Sequence, residues 1–236
     1  YRSPHSFEGP IRDTLDYKKE DWPDIEKAHA AKITLLDHQI GRMINKLKEL
    51  DELDNTLILF TSDNGPHFAN GGHNLEFFNS NGNLKGGKRD LYEGGIRVPL
   101  IAYWKNKIKS NSKTYHISGF QDIMSTFAEI IGYKTQKGLD GISFLPTLIS
   151  KDQPKHDYLN WEFQLSGWFQ NLPSGGFRQS VRFDHWKAVR YSLNSDIELY
   201  DLNEDEGEIN NQAHLHPKIV KKAKDIFENS RSEQYG

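Results

Sequence analysis

Asp63 and Asn64 are the residues best suited to chemistry, because they stand side by side after the apolar run at positions 56–61. An uninterrupted apolar run predicts a strand buried on both faces, as in a parallel sheet. In open α/β sheets, ligands bind just outside the carboxyl ends of the strands. A carboxylate and an amide offer hard oxygen atoms of the kind that Ca²⁺ and Mg²⁺ prefer. The same residues before Gly65 also favour an ordinary turn, so this segment leaves a metal site and a turn open.

A glycine-rich segment at positions 84–99 adds positive charge after that corner. Its sequence is LKGGKRDLYEGGIRVP. It overlaps a long polar stretch at positions 62–95, and loops of such length in compact domains are usually functional or disordered. We favour function, because the stretch contains His67, His73 and Lys88.

Together these segments resemble the type I sulfatases of the alkaline phosphatase superfamily. The shared motifs are P-H at 4–5, S-D-N-G at 62–65, G-K at 87–88, E-G-G-x-R-x-P at 93–99, L-D-G-I-S at 139–143 and E-L-Y-D-L at 198–202. They follow one another in family order over essentially the whole chain. The resemblance implies an α/β fold, with part of an alkaline-phosphatase-like mixed sheet flanked by helices in residues 1–155. Residues 156–236 are expected to form a small C-terminal antiparallel β subdomain with one helix.

The resemblance also implies roles for individual residues. Asp63 and Asn64 match the family's metal-binding pair, which indicates Ca²⁺ in preference to Mg²⁺. Lys88 matches the lysine that contacts the sulfate, and Lys85 is its competitor in the same loop. His5 matches the histidine that contacts the sulfate ester and protonates the leaving group. His5 and Lys88 are therefore the predicted catalytic residues of this chain.

Four further residues are candidates for binding substrate. His67 and His73 lie in the long loop, and Arg2 stands where many relatives carry the first histidine of H-x-P-H. Arg178 follows a glycine-rich segment with aromatic neighbours, which suits a sulfated sugar. Glu93 and Arg97 are instead expected to form a charge pair that fixes the intervening glycine turn.

The catalytic residue of the family is missing from this chain. That residue is a formylglycine, made from the Cys or Ser of a C/S-x-P/A-x-R motif in the N-terminal half. The chain has no cysteine, and neither Ser3 nor Ser174 fits the serine version. The chain therefore resembles the C-terminal half of a sulfatase, with the N-terminal half as its partner and the source of the formylglycine. Alone it is expected to be inactive and to associate through exposed apolar sheet edges.

Length and composition limit the alternatives. A chain of 236 residues predicts one or two domains, and a net charge of −3 implies no affinity for nucleic acid. There is no apolar run of about 18 residues that would span a membrane. The absence of cysteine excludes disulfides and thiol chemistry. A sulfated small molecule or carbohydrate is the expected ligand, and a periplasmic or extracellular location follows from the resemblance alone.

Periodicity and turn residues predict the surrounding elements. A long helix capped by Asp24 is expected, with an apolar stripe of Leu36, Ile40, Met43, Leu47 and Leu50. A second strand is predicted at 98–104, followed by a helix at 122–131 that Gly132 ends. Short strands at 158–163, 179–182, 186–190 and 197–200 predict an antiparallel meander. Pro217 is placed to open a last helix.

Two other functions remain open. A phosphonate or phosphodiester hydrolase of the same superfamily shares the metal-binding corner, although the E-G-G-x-R-x-P segment favours a sulfatase. The chain is also compatible with a non-catalytic remnant that binds sulfated glycans.

Overall fold

The computed structural model describes residues 15–67, 73–134, 138–164 and 176–230. The described α-helices are α1 Asp24–Glu49, α2 Glu93–Ile96, α3 Gln121–Ile130, α4 Leu145–Leu148 and α5 Pro217–Asn229, and a short 3₁₀ helix at Leu15–Lys19 precedes α1. The strands are β1 Ile58–Thr61, β2 Leu100–Tyr103, β3 Leu159–Gln164, β4 Phe177–Phe183, β5 Trp186–Arg190 and β6 Glu198–Asp201. They form one sheet of two strands and one of four, which agrees with the predicted mixed α/β fold.

Helix α1 begins one residue earlier than a cap at Asp24 would require. Pro23 occupies the capping position, with φ −55° and ψ 143°, and no side chain caps the first turn. The prediction that Asp24 is the cap is therefore wrong, because Asp24 is already the first helical residue. The helix is buried only near its start, and part of its predicted stripe is exposed, namely Met43 and Leu50.

Strand β1 pairs with β2 in the antiparallel direction, with Ile58 opposite Tyr103. The prediction of a strand buried on both faces of a parallel sheet is wrong for the described residues. Phe60 is 40% exposed, and Ile101 on the partner strand is 61% exposed. The apolar run at 56–61 therefore supplies sheet faces that the described residues cover only in part. Exposed apolar sheet surface was itself expected for this chain.

Helix α3 is fixed at both ends by specific contacts. The buried Asp122 accepts hydrogen bonds from the backbone N–H groups of Gly119 and Ile142, each at 2.8 Å. Gly132 follows the helix with φ +69°, and Tyr133 N–H donates to the carbonyl of Ala128 at 2.8 Å. A glycine in this left-handed conformation is the usual way to end a helix, which confirms Gly132 as its stop.

The second sheet has the strand order β3-β4-β5-β6, and every neighbouring pair is antiparallel. This order confirms the predicted meander. Helix α5, which Pro217 opens as predicted, packs on one face of the sheet. The core between them consists of Val181, Phe183, Trp186, Ala188, Leu199, Ala223 and Phe227. The opposite face of the sheet is turned toward α2, where the candidate site begins.

Candidate active site

The end of β1 carries Asp63 and Asn64 on a loop that is tightly joined to α2. Gly65 N–H donates to the carbonyl of Gly95 at 2.9 Å. A Cβ atom at position 65 would lie 1.8 Å from the carbonyl oxygen of Gly94, so only glycine fits. The S-D-N-G and E-G-G motifs, about thirty residues apart in sequence, are therefore parts of one packed corner.

Lys88 belongs to the loop that lies against the same corner. Its backbone N–H donates to the carbonyl of Pro66 at 2.8 Å. The loop is shaped by Asp90, whose carboxylate accepts from Gly87 N–H at 3.1 Å. We call residues 84–92 the lysine loop. The structure thus brings the segment of Asp63 and Asn64 next to the segment of Lys88, as the sequence predicts for a common site.

Lys85, the competitor of Lys88, is occupied by the four-stranded sheet. Its Nζ donates to the Tyr200 hydroxyl at 3.1 Å and lies 4.0 Å from the ring centroid of Tyr92. The Tyr92 and Tyr200 hydroxyls both donate to Glu198 Oε2 at 2.6 Å. Burial, together with these bonds to Glu198, raises the pKa of both tyrosines, which therefore stay protonated as donors. Lys85 therefore joins the lysine loop to the sheet.

Glu93 is paired differently from the prediction. Its carboxylate is buried and accepts from Lys187 Nζ at 2.9 Å and from Arg182 Nη1 at 3.0 Å. Burial by itself would raise the pKa of Glu93, but the charges of Lys187 and Arg182 outweigh it and the pKa is lowered. The predicted pair of Glu93 with Arg97 is wrong, since Arg97 reaches outward to Glu206 at 3.0 Å. The glycine turn of α2 is therefore held from the four-stranded sheet.

Glu208 holds the same turn through the backbone. It is fully buried and accepts from Glu93 N–H at 2.6 Å, while its Oε1 has no hydrogen-bond partner in the described residues. Burial raises the pKa of Glu208 to about 7, although Lys187 opposes that shift. Sequence reasoning missed Lys187, Glu208 and their contact with Glu93. The available signal was a lysine at an inward position of the strand 186–190.

The predicted substrate residues fall in different surroundings. Arg178 Nη1 donates to the carbonyl of Arg89 at 2.8 Å and to Asp90 Oδ1 at 2.9 Å, so it lies beside the lysine loop. His73 is buried, with Nδ1 2.7 Å from Glu26 Oε2, and its ring stacks on His29. His67 is half-buried at the end of the Asp63 segment. Arg2 and His5 lie outside the described residues.

Asp63 and Asn64 provide oxygen donors of the type that binds a cation, but two residues are too few to enclose one. The Asp63 side chain is exposed, and within the described ranges its carboxylate forms no hydrogen bond or ion pair. It therefore retains its full capacity to bind a metal ion. The described part of the chain contains no group of three or more His, Cys, Asp or Glu side chains that could enclose one. Two oxygen donors are well short of the six to eight that Ca²⁺ takes.

Comparison with solved structures defines the class of the protein. A structure from work on glycosaminoglycan metabolism by Bacteroides thetaiotaomicron matches with a TM-score of 0.70 and 28% identity, over 86% of this chain and 44% of that one. A structure in complex with its substrate D-glucosamine-2-N,6-O-disulfate matches with a TM-score of 0.69 and 25% identity, over 86% and 40%. The fold is that of the alkaline-phosphatase-like hydrolases.

The family follows from the sequence matches. The Sulfatase family matches residues 2–133, and the family described as N-sulphoglucosamine sulphohydrolase, C-terminal, matches residues 86–233. An N-acetylgalactosamine-6-O-sulfatase of Bacteroides thetaiotaomicron is 30% identical over 85% of this chain and 41% of its own length. Human steryl-sulfatase is 37% identical over 52% of this chain and 22% of its own length. The chain belongs to the sulfatase family, and it spans less than half the length of these relatives.

Among the described residues, no helix is both long and apolar enough to cross a membrane.

Proposed function

We propose that this chain forms the C-terminal half of an enzyme that hydrolyses sulfate esters of a carbohydrate. The observation that carries the proposal is the packing of the Asp63 segment against α2 and the lysine loop, through Gly65 and Pro66. This packing joins the segment that contains Asp63 and Asn64 to the loop that contains Lys88, in a chain of the sulfatase family. A carbohydrate substrate is supported by relatives named as N-acetylgalactosamine-6-O-sulfatase and N-acetylglucosamine-6-O-sulfatase.

In this proposal Asp63 and Asn64 hold Ca²⁺ in preference to Mg²⁺, and residues outside this chain complete the coordination. The ion would supply positive charge for the oxygens of the sulfate group. Lys88 binds the sulfate through its ammonium group, which stabilises the negative charge of the transition state. His5 protonates the leaving oxygen, a role for which enzymes most often use histidine. The nucleophile is expected to be a formylglycine in the N-terminal half.

His67, His73, Arg2 and Arg178 are proposed to shape the substrate pocket around that corner. Arg178 is the best supported of the four, because it donates to Arg89 and Asp90, which follow Lys88 in the lysine loop. His73 would act through its buried bond to Glu26, which joins the start of the segment 73–92 to α1. A periplasmic or extracellular location is proposed with the function.

The proposal is tested with the complete protein that the gene encodes. An aryl sulfate and a set of sulfated monosaccharides are assayed for sulfate release with the wild type and with Lys88→Ala. Loss of a charged group that contacts the transition state is expected to reduce kcat/KM by about 10²–10³-fold. Lys107→Ala, which removes an exposed lysine elsewhere, is the matched control and should retain full activity. A Lys88→Ala enzyme as active as the control would refute the assignment.

The same assay separates the related reactions. Phosphonate and phosphodiester substrates are compared with the sulfate esters at equal concentration. Higher kcat/KM for the sulfate ester supports the proposal, whereas higher kcat/KM for a phosphorus ester would replace it with a hydrolase of the same superfamily.

A further inference from the structure

A cavity of about 420 Å³ lies at the junction of residues 115–117, residues 155–159 and the turn from β4 to β5. It is distinct from the candidate active site, since neither Asp63 nor Lys88 lines it. Arg178 and Arg182 are four residues apart on one face of β4, which corresponds to about 13 Å along the strand. Arg178 contacts the lysine loop, while Arg182 lines the cavity. The cavity therefore lies toward the opposite end of β4 from the lysine loop.

The lining of the cavity contains two cationic side chains, Lys155 and Arg182, and one acidic side chain, Asp184. Lys155 is exposed and forms no ion pair within the described residues. Arg182 shares the single carboxylate of Glu93 with Lys187, and its Nε has no acceptor among the residues that the structure describes. Asp184 is the acidic group of the lining, and it is drawn away to Lys222 at 3.5 Å. The lining therefore has one more cationic than acidic side chain, while Glu93 pairs with Arg182, and Asp122 and Asp201 lie beside His156 and His185.

Histidines add hydrogen-bonding groups to the same wall. His156 Nε2 lies 2.8 Å from Asp122 Oδ1, and Asp122 is fully buried, so the ring is held in a fixed orientation. Burial lowers the pKa of His116 despite the opposing charge of Asp122, which leaves a neutral imidazole with one N–H group to donate. Asp122 lies buried behind this wall, where it accepts from Gly119 N–H and Ile142 N–H as well as contacting His156.

Aromatic rings form the rim of the cavity. Tyr115 is 95% exposed and Tyr158 is 40% exposed, and both line the opening. An exposed tyrosine presents a flat apolar face together with a hydroxyl group, which suits the mixed polar and apolar surface of a sugar ring. Asn203 adds an amide at the same edge. A lining that combines cationic and aromatic side chains suits a charged sugar better than a free inorganic ion.

We propose that this cavity is a second binding site, which takes the sulfate or carboxylate group of an anionic carbohydrate. Lys155 and Arg182 supply the charge for the anion. His116 supplies an N–H group that donates to the anion, His156 forms part of the wall, and Tyr115 contacts the sugar ring. Binding at this site needs no catalytic residue, so it does not depend on sulfate ester hydrolysis.

The test follows the histidine ring resonances by NMR, in the complete protein with ¹³C-labelled histidine. Three hexasaccharides of equal length are titrated, one sulfated, one carrying uronic acids and one neutral. The sulfated or the uronic acid sugar is expected to shift the resonances of His116 and His156, and the neutral sugar is not. The response of the two anionic sugars identifies the preferred group. No shift with either anionic sugar would refute the proposal.

Variants distinguish a built site from general attraction to positive charge. Lys155→Glu is expected to weaken binding by about tenfold, because it reverses a charge that contacts the anion. Lys151→Glu makes the same change at an exposed lysine outside the cavity and should leave the affinity unchanged. Tyr115→Ala should weaken binding of the hexasaccharide but not of inorganic sulfate. If Lys155→Glu and Lys151→Glu weaken binding of the hexasaccharide equally, the attraction is general and the cavity is not a built site. If the histidine shifts are lost in Lys88→Ala, the cavity is not separate from the candidate active site.

Discussion

Replacing Lys187 by Met tests how the four-stranded sheet holds α2. The Lys187 side chain is fully buried, and its Nζ lies 2.9 Å from Glu93 Oε1, itself buried. Met keeps most of the apolar stem but removes the ammonium group. The Glu93 carboxylate would then keep Arg182 as its ion-pair partner, next to the buried Glu208.

The expected loss in the free energy of unfolding is large, because the variant leaves the buried charge of Glu93 without one of its partners. Removing one member of a buried ion pair costs about 3–5 kcal/mol, and Arg182 retains part of the compensation, so we expect about 3 kcal/mol. The assay is urea unfolding followed by tryptophan fluorescence, which reports on Trp186 in the nearby core. Lys222→Met is the matched control, because Lys222 is half-exposed and its pair with Asp184 spans 3.5 Å. That variant should lose less than about 1 kcal/mol.

A double variant separates the orphaned charge from lost packing. Glu93→Gln combined with Lys187→Met removes both charges, so it should be more stable than Lys187→Met alone by at least about 1 kcal/mol. If Lys187→Met costs no more than Lys222→Met, the buried ion pair does not hold α2 as the structure indicates. If the stability lost by the double variant equals the sum of the losses in Glu93→Gln and in Lys187→Met, the two charges do not interact.

Three other results are expected. The pKa of Glu208, raised to about 7, means that the folded state binds more protons than the unfolded state between pH 4.5 and 7. Stability from this group therefore falls as pH rises through that window, and Glu208→Gln should flatten the stability–pH curve and gain about 2 kcal/mol at pH 8. Gly65→Ala should abolish sulfate ester hydrolysis, because the new methyl group would clash with the Gly94 carbonyl oxygen. Gly132→Ala is the control: Gly132 has φ +69° and open space around it, so this variant should lose only about 1 kcal/mol of folding stability and keep its activity. Calcium should raise the melting temperature of the complete protein, and Asp63→Ala should reduce that rise; an unchanged rise would exclude Asp63 as a ligand.

Local patterns in the sequence determined the elements whose residues interact with near neighbours. Alternating side chains predict the strands of the meander. The missing N–H group of Pro217 suits the start of α5, and the left-handed φ angle that Gly132 adopts suits the end of α3. The order of the motifs likewise indicated the sulfatase family and the mixed α/β fold. Those features depend on a few adjacent residues, so one sequence suffices to predict them.

The tertiary structure decided which distant side chains meet. The apolar run at 56–61 is compatible with parallel or antiparallel pairing, and the contact with β2 selected the antiparallel arrangement. Glu93 has a cation four residues away in Arg97, yet its partners Lys187 and Arg182 come from strands some ninety residues later. Lys85 likewise takes its partners from β6, because Tyr200 and Glu198 lie more than a hundred residues later in the chain. A buried charge takes the partner that packing brings to it, and packing over that separation has no periodic signature in the chain.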